Sequence, residues 1–89
     1  MRPVEIYTAR YCPYCHWAKE LLKRKGVDFT EFDVTGDPEL RRAMTLRAGG
    51  ANTVPQIFVG ETHIGGCDDL YALEEAGRLD SLLNGAACQ

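Results

Sequence analysis

The sequence has no apolar run approaching the roughly 20 residues that span a membrane. It also lacks an excess of positive charge, because 10 Lys and Arg residues stand against 13 Asp and Glu and the net charge is −3. Phosphate binding usually requires a clustered basic excess, so nucleic acid is not an expected partner. The basic cluster Lys23–Lys25 falls at a predicted helix end, where cations complement the helix dipole.

Repeats, low-complexity tracts and linkers are absent as well. The 89 residues fit one compact domain, and 45% apolar with 26% charged residues is an ordinary globular composition. We therefore predict a single domain over residues 1–89, with a flexible tail at 84–89. The start, "MRPVEIYT", enters a strand pattern without the hydrophobic region of a signal peptide. This pattern predicts a cytoplasmic protein.

The cysteines lack the partners of a metal site. Cys12 and Cys15 form one C-x-x-C pair, but a second such pair is missing, His16 follows Cys15 directly, and His63 lies in a predicted strand. Structural zinc needs about four spaced ligands, so no metal is expected. A structural crosslink is also disfavoured, because so short a loop hardly restricts the unfolded chain. In a reducing compartment a disulfide is more often catalytic, which favours a redox centre.

The hydrophobic pattern predicts an α/β protein with the order β-α-β-α-β-β-α. Helix starts are indicated by Cys12–Pro13 and Asp37–Pro38, and helix ends by Gly26 and by Gly49–Gly50. A third helix follows Gly65–Gly66, with a short turn around Leu79–Leu83. The first βαβ unit is expected to be right-handed and parallel, in a four-stranded mixed sheet flanked by helices. The predicted strands are Val4–Thr8, Val27–Val34, Pro55–Val59 and Thr62–Ile64.

The two thiols of "CPYC" are predicted to differ in chemistry. Cys12 takes the N-cap position of a helix, where free N–H groups and the positive end of the dipole favour its thiolate. A thiolate, not a thiol, attacks a disulfide, so Cys12 is the predicted nucleophile. Cys15 lies one turn further along and more deeply buried, where it can attack a mixed disulfide on Cys12 and resolve it.

Three motifs carry a resemblance to a known family: "CPYC", "TVPQIF" (Thr53–Phe58) and "GGCDDLYAL" (Gly65–Leu73). With these in order, the chain from Val4 to Leu83 resembles the dithiol glutaredoxins. The resemblance implies a thioredoxin fold and a glutathione-dependent thiol–disulfide oxidoreductase with glutathione as co-substrate. It also implies a monomer acting on disulfide-containing or glutathionylated proteins, for example ribonucleotide reductase.

The resemblance further implies where glutathione binds. A cis Val54–Pro55 bond would turn the N–H and C=O of Val54 toward an extended ligand, which pairs with them as an added strand. The "GGCDD" segment would hold the γ-glutamyl end, through N–H groups at a helix start and a carboxylate of Asp68 or Asp69. The ordinary alternative for these acids is an acidic first helical turn. The implied glutathione-binding residues are Arg10, Tyr14, Thr53, Val54, Pro55, Gly66, Cys67, Asp68 and Asp69.

The glycyl end of glutathione is where the chain departs from the family pattern. Glutaredoxins commonly carry a Lys two or three residues before the first cysteine, where this chain has Ala9 and then Arg10. Many relatives have a basic residue just before "TVP", which is absent from Gly49–Asn52 here. Arg10 and Arg47 are the available substitutes, and both fit equally well as solvated surface arginines.

Two other functions stay open at the sequence level. One is an electron donor recharged by thioredoxin reductase, which the glutathione-type "GGCDD" segment argues against. The other is a carrier of a [2Fe–2S] cluster ligated by Cys12 and glutathione, which Pro13 and the competing Cys15 argue against. The roles of Cys67 and Cys88 are left open by the sequence.

Overall fold

The computed structural model of the protein describes residues 2–84. The elements follow the predicted order, except that a short helix replaces the turn predicted at the end. The strands are β1 (Val4–Thr8), β2 (Thr30–Asp33), β3 (Gln56–Val59) and β4 (Thr62–Gly65), and the helices are α1 (Pro13–Arg24), α2 (Pro38–Arg47), α3 (Cys67–Glu75) and α4 (Leu79–Leu83).

The four strands form one mixed sheet in the order β2-β1-β3-β4. β1 and β2 are parallel, as the helical connection between them requires. β3 runs antiparallel to β1, with Ile6 opposite Ile57. β4 returns antiparallel to β3 through the predicted hairpin at Gly60–Glu61, and Gly60 adopts a φ of 58° there. The predicted four-stranded mixed sheet is therefore confirmed.

Alternate residues of the central strands pack into two separate hydrophobic cores, one on each face of the sheet. Ile6 and Ile57 are fully buried on the face covered by α1, α3 and α4. Tyr7 and Phe58 point to the other face, where they pack with Met44 of α2. Helices on both faces leave the ends of the strands open to solvent, which is where α/β folds place their sites.

The predicted second strand was too long. The prediction ran from Val27 to Val34, whereas β2 covers only Thr30–Asp33. Gly26, with a φ of 71°, and Val27 instead close the C-terminus of α1, because Val27 N–H donates to Leu22 O at 3.0 Å and Gly26 N–H to Lys23 O at 3.0 Å. This is a Schellman motif, which satisfies the last helical carbonyls before the strand begins.

Smaller differences concern the ends of other segments. β3 begins at Gln56, one residue later than predicted, because Pro55 has no N–H to donate to a strand ladder. Residues after Asn84, which include Cys88 and most of the predicted tail, lie outside the described residues. Within residues 2–84, none of the helices combines the length and the apolarity needed to cross a membrane.

The contribution of the α2 face is testable with two substitutions in one helix. Met44 is fully buried, whereas Leu46 is 77% exposed. We expect Met44→Ala to lower the free energy of unfolding by about 2–5 kcal/mol, because it removes buried apolar area and leaves a cavity. Leu46→Ala should change it by less than about 0.5 kcal/mol. Urea unfolding monitored by circular dichroism measures both, and equal losses would contradict the assignment of this core.

Candidate active site

The dithiol lies where the chain leaves β1 and enters α1. Cys12 is the N-cap of α1 with extended backbone angles, and Pro13 occupies the first helical turn. The backbone N–H of Cys15 points at the sulfur of Cys12, 3.1 Å away. The two cysteines form a disulfide with their Cα atoms 5.2 Å apart. Cys15 is 2% exposed and Cys12 is half-buried, so an approaching group meets Cys12 first.

The turn before the dithiol contains a residue whose conformation the sequence did not indicate. Tyr11 has a φ of 57° and a fully exposed side chain. This left-handed conformation is unfavourable for a residue with a Cβ. The preceding residue, Arg10, is bonded to the segment that follows β2, because its N–H donates to Thr35 Oγ1 at 2.8 Å. The sharp turn through Tyr11 brings Cys12 to the end of the sheet.

A loop from a distant part of the sequence faces the dithiol. The Val54–Pro55 peptide bond is cis, as the family resemblance implies. The carbonyl oxygen of Val54 lies 3.9 Å from the sulfur of Cys12. The backbone just before β3 and the helix cap just after β1 therefore form opposite sides of one site.

A groove runs from this loop to the start of α3. Its volume is about 380 Å³, within the range of small-molecule sites. The groove contains all the residues predicted to bind glutathione except Arg10. These are Tyr14, Thr53, Val54, Pro55, Gly66, Cys67, Asp68 and Asp69.

The start of α3 is built around one carboxylate. Asp69 accepts a hydrogen bond from Gly66 N–H at 3.0 Å and so closes the N-cap of the helix. Gly65 has a φ of 119°, and a Cβ at this position would collide with the Asp69 carboxylate. Asp68 is exposed beside it. Asp69 therefore caps α3, and together with Asp68 it also makes this end of the groove acidic.

Comparisons with known proteins agree on one family. The sequence model described as Glutaredoxin matches residues 4–64. A curated Glutaredoxin of Pseudomonas aeruginosa is 62% identical over 84 residues, which cover 94% of this chain and 99% of the relative. The chain belongs to the glutaredoxin family. It is accordingly a glutathione-linked thiol–disulfide oxidoreductase with a Cys12–Cys15 dithiol.

Solved glutaredoxin structures have the same fold. The solution structure of glutaredoxin from Brucella melitensis has 60% identity and a TM-score of 0.82, covering 93% of this chain and 89% of its own. The crystal structure of a buckwheat glutaredoxin–glutathione complex has 27% identity and a TM-score of 0.84, with 97% and 80% coverage. The thioredoxin fold implied by the resemblance is confirmed.

Arg10 lies away from the groove of this glutaredoxin. It is on the opposite side of the dithiol, in a second depression that Cys12, Cys15 and Lys19 also line. Its guanidinium faces Asp33 at 3.8 Å and its side chain is 70% exposed. The role predicted for Arg10 in glutathione binding therefore stays a prediction, without a groove contact to support it.

The same depression contains the carboxylate of Glu31, which is paired with two neighbouring side chains. Thr8 is 2% exposed and its hydroxyl donates to Glu31 at 2.6 Å, while Lys19 pairs with the same oxygen at 2.9 Å. The Thr8 hydroxyl, helped by Lys19, lowers the pKa of the Glu31 carboxyl below its usual range. Glu31 is therefore ionised at neutral pH on the side of the dithiol opposite the groove.

Arg47, the other arginine considered for the glycyl end, is not among the residues that line the groove. Arg47 belongs to the α2 core face, where it pairs with Glu5 at 2.7 Å and stacks 4.0 Å above the Phe58 ring. Arg41, which lies in no motif of the sequence, donates from its guanidinium to Asn52 O at 2.9 Å. It thereby places a guanidinium immediately before Thr53. The position of Arg41 depends on how the Gly49–Asn52 loop returns, and the sequence carried no signal for that.

Gln56 and His63 hold the loop at Thr53 and Val54 in place, and the sequence did not indicate this role for either. Gln56 is 3% exposed and its amide contacts both Thr53 and His63. The sequence marks His63 only as a candidate metal ligand. Among residues 2–84, groups of three or more His, Cys, Asp or Glu able to hold a metal ion are absent.

The thiols of the reduced protein should differ in reactivity. Cys67 is 6% exposed, and burial, with a smaller effect of Asp68, raises the pKa of its thiol. Because the thiolate is the nucleophile, we expect Cys12 to react with iodoacetamide at pH 7 more than about tenfold faster than Cys67. Mass spectrometry of the peptides after timed quenching measures each site.

The unfolded protein provides the control for this measurement. In concentrated urea both thiols should react at similar rates, because burial and the helix terminus are lost. Equal rates in the native protein would mean that the fold does not favour the Cys12 thiolate.

Proposed function

We propose that Cys12 is the nucleophile and Cys15 the resolving cysteine of this glutaredoxin. The observation that carries the proposal is the position of Cys12, which is both the N-cap of α1 and 3.9 Å from the Val54 carbonyl at one end of the groove. The N–H of Cys15 is directed at its sulfur and stabilises negative charge there after reduction. The deeper burial of Cys15 favours its thiol form.

With a glutathionylated protein, the Cys12 thiolate attacks the sulfur of the bound glutathione. The mixed disulfide breaks, the protein thiolate leaves and takes a proton, and a Cys12–glutathione disulfide forms. The thiolate of a second glutathione then attacks the glutathione sulfur of this intermediate. Oxidised glutathione leaves and the Cys12 thiolate is restored, so one free glutathione is consumed for each protein thiol that is released.

With a protein disulfide, both cysteines take part. Cys12 attacks one sulfur and releases the other as a thiolate, which leaves a mixed disulfide between Cys12 and the protein. Cys15 then gives up its proton and attacks the sulfur of Cys12, the second protein thiolate leaves and takes a proton, and the Cys12–Cys15 disulfide forms. Two glutathione molecules reduce this disulfide in turn. The short distance between the two Cα atoms, 5.2 Å, supports this sequence of steps.

We propose that the groove holds glutathione with its sulfur next to Cys12. Its cysteinyl backbone would pair with the N–H and C=O of Val54 in the manner of an added strand. Its γ-glutamyl carboxylate would meet the first N–H groups of α3, where the helix dipole favours an anion. Asp68, which is exposed, and the free oxygen of Asp69 are available for the ligand's ammonium group. Tyr14 would cover one side.

The glycyl carboxylate requires a cation on the other side of Thr53. Arg41 is the better candidate, because its bond to Asn52 O fixes the guanidinium beside the loop. Arg10 faces Asp33 across the dithiol. A guanidinium that uses one N–H for the loop keeps further N–H groups for a carboxylate. We propose Arg41 for this contact and treat Arg10 as the alternative.

The proposed clients are glutathionylated proteins and protein disulfides such as that of ribonucleotide reductase. We propose a cytoplasmic location, because a dithiol recharged by glutathione requires the reduced glutathione pool found there. We also propose that the protein acts as a monomer, since the dithiol and the groove lie within one chain.

The roles of the two cysteines are tested by replacing each one. We expect Cys12→Ser to abolish turnover, because the nucleophile is lost. Cys15→Ser should keep the reduction of a glutathionylated peptide, in which glutathione resolves the intermediate, and lose the reduction of a protein disulfide. Both reactions can be followed through oxidised glutathione production coupled to glutathione reductase.

Changing the reductant separates the rival functions. Turnover should disappear without glutathione and should not return with thioredoxin reductase. Restoration by thioredoxin reductase, or equal losses in both variants, would contradict the proposal. A coloured, iron-containing protein after anaerobic purification would support the cluster carrier instead.

The proposed contact between Arg41 and the glycyl carboxylate is tested by replacing two neighbouring arginines of α2 in turn. We expect Arg41→Ala to raise the KM for glutathione about fivefold, the size expected for a partly exposed charge-assisted contact. Arg42→Ala is the matched control, because it removes an equal charge from an adjacent exposed position and should leave the KM unchanged. A rise in KM with Arg10→Ala alone would assign the contact to Arg10.

A further inference from the structure

A buried amide closes the loop that faces the dithiol. Gln56 directly follows Pro55 and is 3% exposed. Its Nε2 donates to the carbonyl oxygen of Thr53 at 3.0 Å and to the Thr53 hydroxyl at 3.2 Å. Pro55 has no N–H of its own, so this side chain supplies the donor that links the two ends of the Thr53–Gln56 segment.

The other end of the same amide faces His63. The distance between His63 Nε2 and Gln56 Oε1 is 2.6 Å. The carbonyl oxygen of Thr53 can only accept, so the NH2 group of Gln56 must face it, and the oxygen of Gln56 must face His63. His63 therefore has to donate from Nε2, whether its ring is neutral or charged. The hydrogen-bond network thus assigns the tautomer.

His63 is an exposed residue, but its ring is held in place by the sheet. His63 lies directly opposite Phe58 in the β3–β4 pair, and the two rings stack 4.8 Å apart at 24°. Phe58 is 1% exposed and belongs to the core on the α2 face. A chain of fixed contacts therefore leads from the core through His63 and Gln56 to Thr53.

We propose that His63 is a positioning residue for the glutathione site. Its Nε2–H fixes the orientation of the Gln56 amide, and that amide holds Thr53 and Val54 in the conformation that meets the ligand. This inference rests on the proposed binding of glutathione at Val54. His63 acts through Gln56, so its loss weakens glutathione binding without changing the attacking sulfur.

Two substitutions separate the donor from the ring. His63→Phe keeps an aromatic ring for stacking on Phe58 and removes the N–H, whereas His63→Gln restores an N–H donor. We expect His63→Phe to raise the KM for glutathione roughly tenfold, equivalent to about 1.4 kcal/mol, which is within the cost of an unpaired buried acceptor. His63→Gln should recover most of the loss. The alkylation rate of Cys12 should stay at the wild-type value in both variants.

A double substitution tests whether His63 acts on the glutathione site through Gln56. Gln56→Glu is nearly isosteric, but its carboxylate cannot donate to Thr53. We expect it to raise the KM for glutathione as well, and His63→Phe should then add little, because coupled residues are not additive. Full additivity would mean that His63 acts independently of Gln56, which would overturn the proposal.

The tautomer is measurable without any activity assay. In ¹⁵N-resolved NMR spectra, the neutral ring of His63 should be the Nε2–H tautomer. An Nδ1–H tautomer, or a wild-type KM in His63→Phe, would overturn this inference while leaving the glutathione site intact. Failure of the wild-type protein to show saturable dependence on glutathione would overturn the proposed function, and this inference with it.

Discussion

The placement of one sulfur atom at the N-terminus of α1 is the constraint on which the site depends. Cys12 caps the helix, and the N–H of Cys15 is directed at it from 3.1 Å. An N-cap residue normally offers an oxygen to such a donor, so a cysteine here lets the helix terminus stabilise a thiolate. The same spacing makes Cys15 the first buried residue of α1, so the two thiols have different environments although they are chemically identical.

The second half of the site comes from a segment some 40 residues away, and the sheet brings the two together. β1 and β3 are adjacent and antiparallel, so the end of β1 that leads to Cys12 lies beside the start of β3 that follows Pro55. α3 then begins directly after β4, the neighbour of β3. The order of the strands therefore determines that the dithiol, the Val54 loop and the α3 terminus meet at one edge, and the side chains only complete the groove.

Local sequence signals predicted the parts of the molecule that depend on local physics. Cys12 as a cap, Gly26 as a helix end and the Gly60–Glu61 hairpin follow from preferences of a few neighbouring residues. β2 was predicted too long because the Schellman bonds of Gly26 and Val27 compete with strand formation, and β-branched composition does not reveal this. The pairing of Arg41 with Asn52, and of Gln56 with His63, depends on how the chain returns, so periodicity carried no information about either.

The groove beside the dithiol shows why a binding site and a well-formed fold need not compete in so small a protein. Asp69 caps α3 through Gly66 N–H, and the same carboxylate occupies the space that a Cβ at Gly65 would need. Gly65 is therefore required by the cap even if no ligand binds. Gln56 likewise pairs its own buried amide with Thr53 and His63, and in doing so it orders the loop beside Cys12. Because the contacts that stabilise the fold here are the ones that shape the groove, little ordering is left to oppose ligand binding.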